Sequence, residues 1–360
     1  SGVSVFDRLM VWSQTARDGD PYKPIHSQLV DHMIEDPKLF DLAEFSQGTS
    51  SWSTMAPGGS SDFYDYHVMR CSNAPVHVWE PRGVDARVSV LIISMPAGLP
   101  WEMQRPSFDA LAAAAVKSFD ANVFCVPIGS PYAPQAGCPL PVFLADLVSL
   151  VDELPLKRPC VLVDNTFGSA TSLIWSLKER LAGALIINSA GFFSEEYLGS
   201  QAHTQLEKVC EQRARERRGE GRDVHFIGKQ LLSLHACGAP DFLELVLQRW
   251  LQAVENSDSS IWHGTASWSE WLPRCHTRLL LERSKLNLRV RLACSVHAPG
   301  VVFQESMRRL QDFFPNSVFN HIPESKEWWE VENPHFMIDE LLSLLGDILA
   351  ESTSHADYLN

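Results

Sequence analysis

The chain has 360 residues, 45% of them hydrophobic, and carries a formal net charge of −14 from 30 basic and 44 acidic side chains. Its length and apolar content suffice for one large α/β domain with an insertion or for two ordinary domains. The acidic balance speaks against a nucleic-acid-wrapping surface, which needs clustered Lys and Arg, and no apolar run approaches the roughly 18 residues of a membrane span.

Residues 1–45 place apolar side chains three and four apart in "SVFDRLMVWSQTA" and "HSQLVDHMIEDPKLFDLAEF", the spacing of amphipathic helix. The Ser/Gly/Pro-rich stretch over residues 46–62 reads as linker. Residues 1–61 are therefore expected to form an N-terminal helical arm and linker. "FYDYHVMRCS" and "APVHVWEPRG" alternate apolar and polar residues like two antiparallel strands, and "ARVSVLIISM" is a near-continuous apolar run, as in a strand buried on both faces. Helix and strand then alternate: "SFDALAAAAVKSF", "ANVFCVPI", "PVFLADLVSLVDEL", "PCVLVDN", "ATSLIWSLKERL", "GALIINS". This alternation predicts an α/β fold with a doubly wound, mostly parallel sheet. It stops near residue 193, and residues 194–285 read as a helical lid insertion rich in tryptophan. Strand "LNLRVRLACSV", helix "ESMRRLQDFF", strand "SVFNHIP" and helix "PHFMIDELLSLLGDIL" complete the core over residues 286–350, leaving 351–360 as a tail. The first part of the core spans 62–193.

Among the 8 cysteines there is no CxxC. Cys125, Cys160 and Cys294 sit in or beside strand-like runs, where a free thiol packs as a small hydrophobe. A disulfide scaffold suits a chain this long poorly, so a soluble protein of a reducing intracellular compartment or organelle is expected. The 13 histidines show neither HExxH nor paired His/Cys spacing, and neither metal nor other cofactor is expected. The basic run over 213–222 is interleaved with glutamates and reads as a solvated helix end. Ser1 in place of Met implies a processed or trimmed N-terminus.

Three segments resemble the α/β-hydrolase fold over roughly residues 62–350. "PCVLVDNTFGSAT" resembles the nucleophile elbow, strand–G-x-S-x-G–helix. "INSAGFF" resembles the strand end that leads into the lid, and "IPESKEWWEVENPHF" resembles the histidine loop, in which "ENP" opens the final helix. The resemblance puts Thr166 at the nucleophile, Gly168 at one small flanking position and Asp164 at the other. Asp164 adds bulk and a negative charge where an oxyanion would develop. Thr166 is β-branched and internal, whereas activated threonine nucleophiles use an N-terminal amine.

Counting back from "ENP", the histidine position is Glu327, flanked by Trp328 and Trp329. A carboxylate near pKa ~4.3 is a far weaker base than imidazole and does not relay a proton between two ring nitrogens. His321 and His335 read as packed or surface residues. No Asp or Glu occurs from Arg283 through Gln304, and the acid slot falls near Ala298–Gly300, with Gly300 at its end. Glu195 or Glu196 offers an acid from the preceding strand, and His297 is a candidate for a rearranged triad. The oxyanion donors would be the N–H of Phe167 and the backbone of Ile93–Met95, without the usual glycine.

With every chemical position altered, the resemblance implies a degenerate triad: a noncatalytic protein acting as an interaction or structural subunit with protein partners. The N-myc downstream-regulated family is a functional parallel. Candidate contact residues are Phe6, Met10 and Trp12 in the arm and Trp262, Trp268 and Trp271 in the lid. One alternative is a small apolar ligand in a retained pocket, with Met95, Asp164, Thr166, Phe167 and Trp328 as its lining. The other is an esterase-like hydrolase using Thr166, with Glu327 or His297 as base.

Overall fold

The computed structural model describes residues 63–71, 74–94, 99–127, 140–166, 173–174, 177–189, 224–256, 288–297 and 301–357. The arm and linker, Met95, Phe167, Gly168, Glu195, Glu196, Gly300 and the tryptophans at 262, 268 and 271 lie outside these residues.

The strands are β1 (Tyr64–Cys71), β2 (Ala74–Pro81), β3 (Val88–Ser94), β4 (Ala121–Pro127), β5 (Cys160–Asn165), β6 (Leu181–Ile187), β7 (Arg289–Ser295) and β8 (Val318–Ile322). They form one eight-stranded sheet in the order β1-β2-β4-β3-β5-β6-β7-β8. β1 pairs with β2 and β2 with β4 antiparallel; every later pairing is parallel. β3, β4 and β5 are buried along their whole length, which is why apolar residues dominate them; their buried polar exceptions are Ser89, Ser94, Asn122, Asp164 and Asn165. β1 instead mixes half-buried and exposed residues up to a buried Cys71, as an edge strand does.

Helices cover both faces. α1 (Trp101–Phe119) and α7 (Pro334–Asp357) lie on one side; α2 (Leu140–Asp152) and α5 (Val301–Phe313) lie on the other. In β5 the two-residue period sends Val161 and Val163 to the α1/α7 side and Cys160 and Leu162 to the α2/α5 side. Full burial of each such side chain stabilises the fold by roughly 1.5–3 kcal/mol.

Two helix limits differ from the sequence reading. α1 begins at Trp101, upstream of Pro106. Gln104 anchors this early turn: its Nε2 donates to Leu99 O at 2.6 Å, and Ser94 Oγ donates to its Oε1 at 2.9 Å. α7 runs on to Asp357; where this extension begins, Arg289 Nε donates to Glu351 Oε2 at 3.0 Å.

Between β6 and β7 come α3 (Val224–His235) and α4 (Pro240–Asn256). They share an apolar cluster with Leu99, Met103, Trp328 and Val331, centred on Trp250 and Leu247. At Gly228 a Cβ would lie 2.7 Å from Leu247 Cδ1 and 2.9 Å from Trp250 Cε3. Only the bare backbone allows the two helices to approach this closely. A short helix, α6 (Trp329–Glu332), joins β8 to α7.

Candidate functional site

β5 lies between β3 and β6, and its carboxyl end carries Asp164 and Asn165, with Thr166 immediately after. The carboxyl ends of parallel strands are where open α/β sheets place their sites. All three side chains are buried. The period of two continues, so Asp164 follows Leu162 to one face and Asn165 follows Val163 to the other.

On the first face, Thr166 Oγ1 donates to the Asp164 carboxyl, 2.9 Å from Oδ1 and 3.1 Å from Oδ2. Burial pushes the Asp164 pKa up to about 8, against a smaller downward pull from the Thr166 bonds. Near neutral pH the group is mainly protonated. The negative charge expected there from sequence is thus corrected: a carboxyl cut off from water stays neutral.

On the opposite face, Asn165 is fully used. Its Nδ2 donates to Ser94 Oγ at 3.2 Å and to Glu330 Oε1, and its Oδ1 accepts from Trp329 Nε1 at 3.1 Å. Ser107 Oγ donates to the Glu330 carbonyl, and Trp329 meets Phe108 edge-on at 5.8 Å. Glu330 is wholly buried, and its Oε2 has no hydrogen-bond partner among the described residues. Burial raises its pKa to about 8, opposed by its backbone and Asn165 hydrogen bonds.

Glu327 is also buried, and its Oε2 lies 2.9 Å from Nδ1 of His235, the last residue of α3. The His235 ring stacks on Trp328 at 5.9 Å, and Trp328 N donates to His235 O at 2.9 Å. Beside this pair, Glu332 accepts from Cys237 N and Ser325 Oγ and, at 2.8 Å, from Lys326 N. Burial pushes the Glu332 pKa up to about 7. Lys326 Nζ donates to Ser233 O at 2.8 Å, and burial lowers its pKa. The loop after β8 is therefore fastened to the inserted helices at several points.

His297 is exposed, and its backbone N donates to Ser325 O at 3.0 Å. His321 lies in β8 against Phe319, with ring centroids 4.9 Å apart, and His335 is exposed at the start of α7. Among the described residues no cluster of three or more His, Cys, Asp or Glu is placed to hold a metal ion, and no helix is long and apolar enough to cross a membrane.

No protein-family model matches the chain, and no curated protein matches it by sequence. Solved structures do match. A haloalkane dehalogenase loop variant from Bradyrhizobium elkanii superposes with TM-score 0.55 at 12% identity, covering 81% of this chain and 99% of its own. A thermophilic esterase from Thermogutta terrifontis, in a malate-bound form, gives 0.52 at 16%, covering 79% and 99%. An enol-lactonase from Burkholderia xenovorans gives 0.52 at 15%, covering 78% and 100%.

The fold is that of the α/β-hydrolases.

Thr166 stands directly after β5, and Glu327 stands in the loop between β8 and α6. Thr166 is brought together with Asp164, and Glu327 with His235. Of the residues read as lining a retained pocket, Asp164, Thr166 and Trp328 are buried; Met95 and Phe167 are outside the described set. The sequence reading missed His235, Glu330, Asn165 and Gln104. Glu330 carried a faint signal, an acid inside the aromatic run "EWWEVE", since an acid among tryptophans is either solvated or strongly perturbed. His235 carried none beyond its place at the end of a helix.

Proposed function

We propose that this chain is a noncatalytic α/β-hydrolase-fold protein that serves as an interaction or structural subunit, a role parallel to that of the N-myc downstream-regulated family. One observation carries the reading. The hydroxyl at the nucleophile position is bonded to a buried carboxyl, while the residue at the histidine position, Glu327, pairs with His235 of the inserted helix.

Hydrolysis needs a hydroxyl that gives its proton to a base with a pKa near the working pH, and a partner that later returns it. A neutral Asp164 has no lone charge with which to take the Thr166 proton. Glu327 offers a carboxylate rather than an imidazole. Removing members of a working triad lowers kcat by on the order of 10⁶-fold. Protein contact surfaces are the candidate arm residues Phe6, Met10 and Trp12 and the lid tryptophans Trp262, Trp268 and Trp271, since aromatics with few charges are what such interfaces favour.

The test is turnover of p-nitrophenyl esters from acetate to octanoate by wild type and Thr166→Ala, from pH 6 to 10. The noncatalytic reading expects equal traces from both proteins at every pH. Activity that rises with an apparent pKa about 8 and disappears in Thr166→Ala would overturn it, and would make Asp164 the base of an esterase-like dyad.

A further inference from the structure

A cavity of about 860 Å³ opens between α4, the first turns of α1 and α7, and the turns after β7 and β8. This is within the range of small-molecule sites, about 300–1,000 Å³. Asp164, Thr166, Glu327 and Trp328 are not among its lining residues. Its described lining thus shares no residue with the Asp164–Thr166 pair.

One wall is a continuous stripe of α4: Phe242, Leu245, Val246, Arg249 and Ala253 all face the cavity. Their spacing is that of a single helix face, and at 1.5 Å per residue the stripe is roughly 16 Å long. Met103 and Val331 supply apolar wall opposite. Arg249 rises from the middle of this stripe, exposed, with no acidic partner among the described residues. A guanidinium flanked by apolar side chains on the same helix face suits a ligand with an apolar body and a carboxylate that its fork can grip at two points.

Three carboxylates also line the cavity, and they set the limit on ligand charge. Glu332 has both oxygens occupied by the Cys237 and Lys326 backbone N–H groups and the Ser325 hydroxyl. Glu102 belongs to the first turn of α1, where the helix dipole offsets its charge. Glu324 remains exposed and unpaired among the described residues. One guanidinium facing such a rim favours a single negative charge over a phosphate or a dicarboxylate.

We propose that this cavity binds a small apolar monocarboxylate, with its apolar body along the α4 stripe and its carboxylate on Arg249. The proposal stands whether or not Thr166 is reactive. The test is isothermal titration calorimetry of the full chain with decanoate, decan-1-ol and decylammonium, using wild type, Arg249→Gln and Leu245→Trp. Leu245 is 40% exposed, so the larger side chain fills the cavity without disturbing the core, and thermal melts check that each variant is folded. Decanoate should bind one to one. Arg249→Gln should weaken it about tenfold or more, the scale of a lost charged hydrogen bond, and leave decanol unchanged. Leu245→Trp should abolish binding of both. The proposal fails if decanoate shows no saturable binding or if Arg249→Gln binds it as wild type does. Unchanged binding by Leu245→Trp, or tighter binding of decylammonium than of decanoate, would overturn it equally.

Discussion

Glu330 allows a direct test of how burial sets the chemistry of this sheet end. Its carboxyl is fully buried, with one oxygen accepting from Asn165 and the other without a hydrogen-bond partner among the described residues, and its pKa rises from 4.5 to about 8. A folded-state pKa above the unfolded value means that the native state holds a proton the unfolded chain releases. Stability is then complete below pH ~4.5, falls by about 1.4 kcal/mol per pH unit, and levels off above pH ~8. The whole window is worth on the order of 5 kcal/mol, a large fraction of the 5–15 kcal/mol typical of a domain. Glu330→Gln keeps the acceptor for Asn165 and the side-chain shape, but cannot ionise. Relative to wild type, the variant should gain about 3 kcal/mol between pH 5 and pH 7. Asp164, raised from 3.8 to about 8, and Glu332, raised from 4.5 to about 7, pull in the same direction. The variant should therefore lose about a third of the pH dependence these groups produce. Urea unfolding followed by tryptophan fluorescence at pH 5, 6, 7 and 8 measures this through the midpoint and slope. Wild type and Glu330→Gln curves that stay parallel across the series would refute the reasoning, since Glu330 would then ionise as an ordinary carboxyl in the folded chain.

Three further outcomes follow from the same geometry. Asn165→Leu should destabilise the fold by about 2–4 kcal/mol, because it leaves Trp329 Nε1 and Glu330 Oε1 without their Asn165 partner inside the core; equilibrium unfolding at pH 7 reads this. Gly228→Ala should cost a net of about 1 kcal/mol, as overpacking against Leu247 and Trp250 outweighs the better helix propensity of alanine; a melting temperature at or above wild type would contradict it. Glu327→Gln and His235→Phe, singly and together, form a double-mutant cycle. A coupling of about 1 kcal/mol or more is expected for a buried pair 2.9 Å apart, and additive losses would show that the contact is geometric only.

What the sequence made legible follows from what is local. β3, β4 and β5 announce themselves because burial on two faces favours apolar residues along most of each strand. Thr166 and Glu327 stand out in the sequence because each lies at a fixed distance from a marker, Gly168 in one case and the "ENP" triplet in the other. The start of α1 was not legible, since Pro106 reads as a boundary and the contacts that carry the helix past it come from Ser94 and Leu99. Nor was the Asn165–Glu330 bond, which joins residues 165 positions apart. The protonation of Asp164 was misread for a related reason: residue type predicts a charge, but only packing tells whether water can reach it.

The same packing links the proposed loss of catalysis to the stability argument. A working triad needs an ionised carboxylate that orients an imidazole, and an imidazole that takes and returns a proton during turnover. Here Asp164 and Glu330 lie on opposite faces of the sheet, one bonded to the residue at the nucleophile position and the other to its neighbour Asn165, and burial raises both to about 8. Groups held neutral in this way serve as hydrogen-bond partners that lock the elbow to α6 on one side and fix the Thr166 rotamer on the other. Ionising either one would cost folding free energy, so any chemistry at Thr166 that drew on Asp164 as a base would do so at the expense of the fold. Reactivity and stability therefore oppose each other at this strand end, and below pH ~8 the balance lies with the neutral, bonded state. That opposition supports the noncatalytic reading more strongly than the identity of any single replaced residue.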